Sequence, residues 1–189
     1  MWPALSHRQC LYFHRTATQF LYKSFANNKH FNLKIYSTEN FTRISSPMPK
    51  KFAIQQGIDL GARMHHAMQT ELQFAERVLV IGSDCILINK DYIYTCFNKL
   101  VTHKDLVLGA ANDGGYVLIG ARKVSKALFN NTQWGSSMVL NTTSKNANKL
   151  GYDVHVMPEL IDADSVADLY EMAKQEKLPV WAMPLLQNN

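Results

Sequence analysis

The chain has 189 residues, of which 47% are hydrophobic and 19% charged, and its net charge is +5. That is enough apolar material for one buried core, so a single domain over residues 1–189 is expected, and the composition argues against disorder. No apolar run approaches the ~20 residues of a membrane helix. No Arg-rich cluster or nucleic-acid module is present either, so neither a membrane nor a nucleic acid is expected as partner. Cys10, Cys85 and Cys96 are far apart and odd in number. They form neither a disulfide framework nor a zinc spacing, and read as reduced thiols of a cytoplasmic protein. The positive charge is concentrated early. Arg8, Arg15, Lys23, Lys29, Lys34, Arg43, Lys50 and Lys51 face the single acid Glu39. A solvated basic face, a site for phosphate-bearing ligands and a targeting peptide all fit that bias.

Ser6 suits an N-cap, and Phe13, Ala17, Phe20, Leu21 and Phe25 fall at helical spacing, so an amphipathic helix is expected over Leu5–Phe25. Phe31–Tyr36 alternates apolar and polar residues as a strand does. Thr38–Lys51, with Pro47 and Pro49, reads as a loop, and Phe52–Ile54 as a short edge strand. Gly57 suits a turn and Asp59 an N-cap for a helix running to about Phe74. Gly61, in its first turn, costs roughly 1 kcal/mol against Ala, and such a glycine often admits a close neighbour.

Val78-Leu79-Val80-Ile81 reads as a strand buried on both faces, as in a parallel sheet. Gly82 turns the backbone and delivers Ser83 and Asp84 at the strand's carboxyl end, where open α/β sheets bind ligands. Asp84 is there either as a metal or hydroxyl ligand or as a cap of the turn. A helix over Lys90–His103 follows, then a buried strand over Leu106–Ala111. Asn112-Asp113-Gly114-Gly115 is a tight hairpin turn into a strand over Tyr116–Gly120. A short helix at Val124–Phe129, a helix from after Trp134 to Leu150 stopped by Gly151, a strand over Asp153–Met157 and a helix over Val166–Gln175 complete the pattern. Residues 178–189 form a tail. Alternating strands and helices predict a three-layer αβα sandwich.

Gly82-Ser83-Asp84-Cys85, the Asp113–Gly120 hairpin and Asp162-Ala163-Asp164 occur in that order, along with Gly57–Met64 and Trp134-Gly135-Ser136. Together they resemble the DUF2064-type family, bacterial proteins described as glycosyltransferases associated with radical-SAM proteins and arsenosugar biosynthesis. The resemblance covers about residues 5–175. It implies a mostly parallel sheet in an A-type glycosyltransferase-like fold, that of nucleotide-diphospho-sugar transferases. It also implies Mg²⁺ or Mn²⁺ held by Asp84, with Asp162 as second ligand; a hard cation with oxygen ligands neutralises a leaving diphosphate. On an extended segment Asp162 and Asp164 would point to opposite sides, so Asp164 is expected to cap the last helix instead. Asp113 is the expected catalytic residue, accepting from sugar hydroxyls. Gly114, Gly115, Tyr116, Trp134 and Arg63 are the expected substrate contacts. For Trp134 core packing, and for Arg63 a solvated helix surface, compete with that role. Cys85 reads as a small buried hydrophobe, and the adjacent His65 and His66 as surface residues.

The resemblance starts mid-domain. Family members open with a buried strand and a basic Gly/Lys-Thr-Arg loop, and Met1-Trp2 stands where that loop would end. An N-terminally truncated member is therefore expected, with sheet edges left open to pairing. Ala62, Ile86, Val117 and Gly135 also depart from the family's usual residues, which bears on substrate choice. The reading is a metal-dependent glycosyltransferase-like protein using a nucleotide-diphospho-sugar donor and a small-molecule acceptor. A nucleotidyltransferase on the same fold is the alternative enzyme; an inactive remnant or interaction module is the alternative from another class.

Overall fold

Local chemistry sets the ends of the helices. The computed structural model of the chain describes residues 5–38, 51–102 and 104–186. Helix α1 (His7–Phe25) starts at Ser6, where a capping box satisfies two backbone donors: Gln9 N–H donates to Ser6 Oγ at 3.3 Å and Ser6 N–H to Gln9 Oε1 at 2.9 Å. Helix α2 (Leu60–Glu71) starts at Asp59, whose Oδ1 accepts from Ala62 N–H at 2.7 Å. Helix α3 (Lys90–Val101) is capped by Asn89 in the same way and ends at Thr102, short of the expected His103. Helices α4 (Val139–Lys149) and α5 (Val166–Lys174) follow, and Gly151, at φ +70°, terminates the first of these as expected.

The strands are β1 (Ile35–Ser37), β2 (Phe52–Ile54), β3 (Val78–Ile81), β4 (Leu106–Ala111), β5 (Tyr116–Ala121) and β6 (Val154–Leu160). They form two sheets. β1 and β2 pair in parallel, and β3-β5-β4-β6 form a four-stranded sheet. In the larger sheet β5 runs against both β3 and β4, and β6 is parallel to β4. β3, β4 and β6 therefore point one way, and their carboxyl ends share one end of the sheet. β1 is shorter than the expected Phe31–Tyr36 strand, because Phe31 turns into an aromatic cluster with Phe25, Tyr94 and Phe97. Most of the loop expected at Thr38–Lys51 lies outside the described residues.

Period-two alternation splits the large sheet's side chains between two layers. Val107 and Leu118 pack with Leu21 and Phe25 of α1 and Leu100 of α3. Leu106, Leu108 and Ile119 pack with Met64 and Met68 of α2 and Ala147 of α4. Each such fully buried Leu or Ile contributes about 1.5–3 kcal/mol. A third cluster joins Phe13 and Ala17 of α1 to Leu169 and Met172 of α5 and to the 3-10 turn Val180–Leu185. There Trp181 lies 5.6 Å from Phe13, ring to ring, so the described part of the tail is packed. The three-layer αβα sandwich is thus present.

β3 departs from expectation in one respect. Its side chains do alternate between the layers, Val78 and Val80 to one and Leu79 and Ile81 to the other. All four are nevertheless only half-buried, whereas β4 is buried along its whole length. The reason is position: β3 is the outermost strand of the larger sheet.

Candidate active site

Four carboxylates gather at the carboxyl ends of the parallel strands. Gly82 N–H donates to Val117 O at 3.0 Å, which holds the backbone to β5 as it leaves β3. The Asp84 carboxylate then folds back over Gly82, where a Cβ would run into it. A glycine is therefore needed there for contact, not for conformation. Asp84 O accepts from Ile86 N–H at 2.8 Å, which tightens the turn and drives Cys85 into the core. Burial, and then the charge of Asp84, push the Cys85 thiol up, as suits an inert buried residue.

The β4–β5 hairpin supplies the second acid. Asp113 Oδ1 accepts from Gly115 N–H at 2.7 Å, which fixes the carboxylate beside the turn. Gly114 has φ +90°, and a Cβ there would strike the backbone carbonyl of Ser137. Leu140 N–H donates to Gly114 O at 3.0 Å, so the hairpin tip is docked onto the start of α4. In the structure, Gly114 and Gly115 serve this docking and this bond.

The segment after β6 supplies the last two. Asp113, Asp162 and Asp164 each present an oxygen within 4.8 Å of the others, among the described residues. Asp164 does not cap α5, as expected from the sequence. Ser165 does, with its Oγ accepting from Asp168 N–H at 3.2 Å. The alternation argument failed because residues 161–164 are not a strand; β6 ends at Leu160. The observed three-carboxylate group accordingly differs from the expected pair of Asp84 and Asp162. Asp84 stands beside it, close enough for its charge to act on both Asp162 and Asp164. The signal for Asp164 was in the sequence, as the second acid of an Asp-x-Asp run.

The electrostatics are those of crowded acids. Burial, then Asp164, Asp113 and Asp84, push Asp162 up to about 7. Asp164 is raised by lost hydration and by Asp84, Asp113 and Asp168. An all-oxygen, all-acidic group of this kind suits a hard divalent cation. Oxygens on opposite sides of Mg²⁺ lie about 4.2 Å apart, close to the spread seen here.

The remaining expected contacts are placed as follows. Tyr116 turns its hydroxyl away from the carboxylates and buries it beside Thr143 of α4. The ring of Trp134 lies over Gly61, where a Cβ would come within 2.6 Å of it, and 6.3 Å from the Phe129 ring. Gly61 thus admits an indole, and Trp134 packs in the core under α2 and α4. Arg63 Nε donates to Gly57 O at 3.3 Å and closes the turn before α2. Contacts run from Gly114 to Ser137, and from Trp134 to Gly61, so the start of α2 with Arg63 borders the hairpin through one intervening segment. His65 and His66 are half-buried, not at the surface; His65 packs against Phe129 at 6.4 Å.

With this geometry described, the chain can be set beside known proteins. A family described as "uncharacterized protein conserved in bacteria (DUF2064)" matches residues 25–136, more than half of the chain. A solved structure of a candidate nucleotide-diphospho-sugar transferase from Desulfovibrio desulfuricans G20 shares the fold, with a TM-score of 0.75 and 30% identity. The match covers 92% of this chain and 77% of that one. No curated protein matches the chain. No helix among the described residues is long and apolar enough to cross a membrane.

Proposed function

We propose that this chain, which belongs to the DUF2064 family, binds a nucleotide-diphospho-sugar through a divalent cation and moves the sugar to a small acceptor. The observation that carries this reading is the meeting of Asp113, Asp162 and Asp164, with Asp84 beside them, at the carboxyl ends of parallel strands. The likeness to a candidate nucleotide-diphospho-sugar transferase supports the donor class.

Asp113, Asp162 and Asp164 are the residues to hold Mg²⁺ or Mn²⁺, with Asp84 adding negative charge at the rim. Such a cation, when bound, neutralises the diphosphate and stabilises it as a leaving group. The chain's own residues do the rest. Asp113 is oriented by Gly115 N–H and has its second oxygen available to a sugar hydroxyl or the cation. Asp162, near 7, exchanges its proton around neutral pH and so responds to whatever charge is bound beside it. Arg63 stands at the far side of the hairpin as the cationic partner for phosphate.

A thermal-shift screen of nucleotide-diphospho-sugars with and without Mn²⁺ tests the reading. Specific binding raises apparent stability by mass action, by about 2.7 kcal/mol at a hundred times Kd. A shift that requires both Mn²⁺ and the sugar nucleotide is expected, followed by release of a nucleoside diphosphate when acceptors are added. Release of pyrophosphate from a nucleoside triphosphate would instead assign nucleotidyl transfer. No shift with any donor would end the proposal.

A further inference from the structure

We infer that the cleft between the two sheets is a strand-acceptor site, built to take one extended polypeptide segment with apolar side chains on both faces. A cavity of 1410 Å³ lies there, bordered by Ile35 and Tyr36 of β1 on one side and by all of β3 on the other. Backbone register shows what faces it. Gly82 is hydrogen-bonded to Val117, opposite it on β5, so by the alternation of an antiparallel ladder Val80 and Val78 also bond to β5. Leu79 and Ile81 therefore direct their N–H and C=O groups outward, toward the cavity. β1 shows the complementary pattern. Ile35 N–H donates to Lys51 O at 3.1 Å and Gln55 N–H to Ser37 O at 2.8 Å, so these two residues bond to β2. The Tyr36 N–H between them points the other way. Two strand edges thus border one space, and no described strand pairs with either inner edge.

The walls repeat the layering of the sheet. Leu21 and Phe25 of α1 and Phe97 of α3 line one face of the cavity, while Ala67 and Glu71 of α2 line the other. A segment entering the cleft would be covered on both faces, as a central strand is, which calls for consecutive apolar residues. Only an extended backbone satisfies donors and acceptors on both edges at once; a lipid tail or other small apolar ligand leaves them unmet. The solved relative is also longer than its match here, so that fold contains polypeptide with no counterpart among these residues. Filling the cleft would join the two sheets and brace the β3 end, since Gly82 and Ser83 line the same space ahead of Asp84.

The test uses the full chain and a synthetic peptide with a run of about five valine and isoleucine residues, the common strand length, flanked by lysines. Amide hydrogen exchange is followed residue by residue. With the peptide at about ten times its Kd, exchange at Leu79, Ile81 and Tyr36 is expected to slow roughly tenfold by mass action. Val78 and Val80, already bonded to β5, serve as internal references. The same peptide N-methylated at alternate amides should neither protect these sites nor raise Tm. Equal effects from the N-methylated peptide or from a fatty acid would overturn the inference in favour of a plain apolar pocket. So would unchanged exchange at Leu79 and Ile81. Protection of these amides without peptide, rising with protein concentration alongside dimer in sedimentation, would assign the cleft to a second copy.

Discussion

Asp162 sits where the charges of three other aspartates converge. Its folded value of about 7 lies above that of an unfolded aspartate, ~3.9. Between those values the folded chain binds more protons than the unfolded one, so stability falls as pH rises through this window. Without a divalent cation, Tm should be higher near pH 5 than near pH 7.5, and Asp162→Asn should flatten that slope. Mn²⁺ should stabilise more at the higher pH, where the carboxylates are ionised. Thermal melts across pH check both statements; a Tm that climbs from pH 5 to 7.5 without metal would contradict them. Gly114 gives a second expectation. Its φ of +90° and its contact with Ser137 leave no room for a Cβ. Gly114→Ala should cost about 1–3 kcal/mol in denaturant unfolding, the range for a strained backbone position, and weaken Mn²⁺ binding by moving Asp113.

The elements are held by a few specific fits. Gly61→Ala is favourable by about 1 kcal/mol on helix propensity alone. The added methyl, however, would meet the Trp134 ring at 2.6 Å and Phe129 at 2.8 Å, and overpacking of this kind costs about 1–3 kcal/mol. A net loss in chemical denaturation is expected, and a gain would show that the ring moves freely. Element existence was legible in the sequence wherever periodicity was strong or a cap was present. Ser6, Asp59 and Asn89 marked three helix starts, and the Asp113 turn marked the hairpin. What was not legible depended on partners distant in sequence. The half-burial of β3 follows from its neighbour in the sheet, which no local pattern encodes. The direction of Tyr116 depended on α4 lying above it. The role of Asp164 was misread because strand geometry was carried past Leu160, where the strand stops.

At the scale of the whole molecule, strand direction does the assembling. β3, β4 and β6 run parallel, so acids separated by some eighty positions in sequence, from Asp84 to Asp164, are delivered to one end of one sheet. The same sheet is open along β3, and the cleft beside it reaches the loop that carries Asp84. Metal site and cleft are therefore neighbours, and a change at one should be read at the other. The central claim is that these carboxylates hold a divalent cation that receives a nucleoside diphosphate. It is tested most directly by titrating Mn²⁺ into the chain and reading free Mn²⁺ by electron paramagnetic resonance. One tight site is expected, tightened further by a nucleoside diphosphate and weakened at least about tenfold in Asp162→Asn, the loss of one charged ligand contact. Equal Mn²⁺ binding by the chain and by Asp162→Asn, with no response to the nucleoside diphosphate, would contradict it.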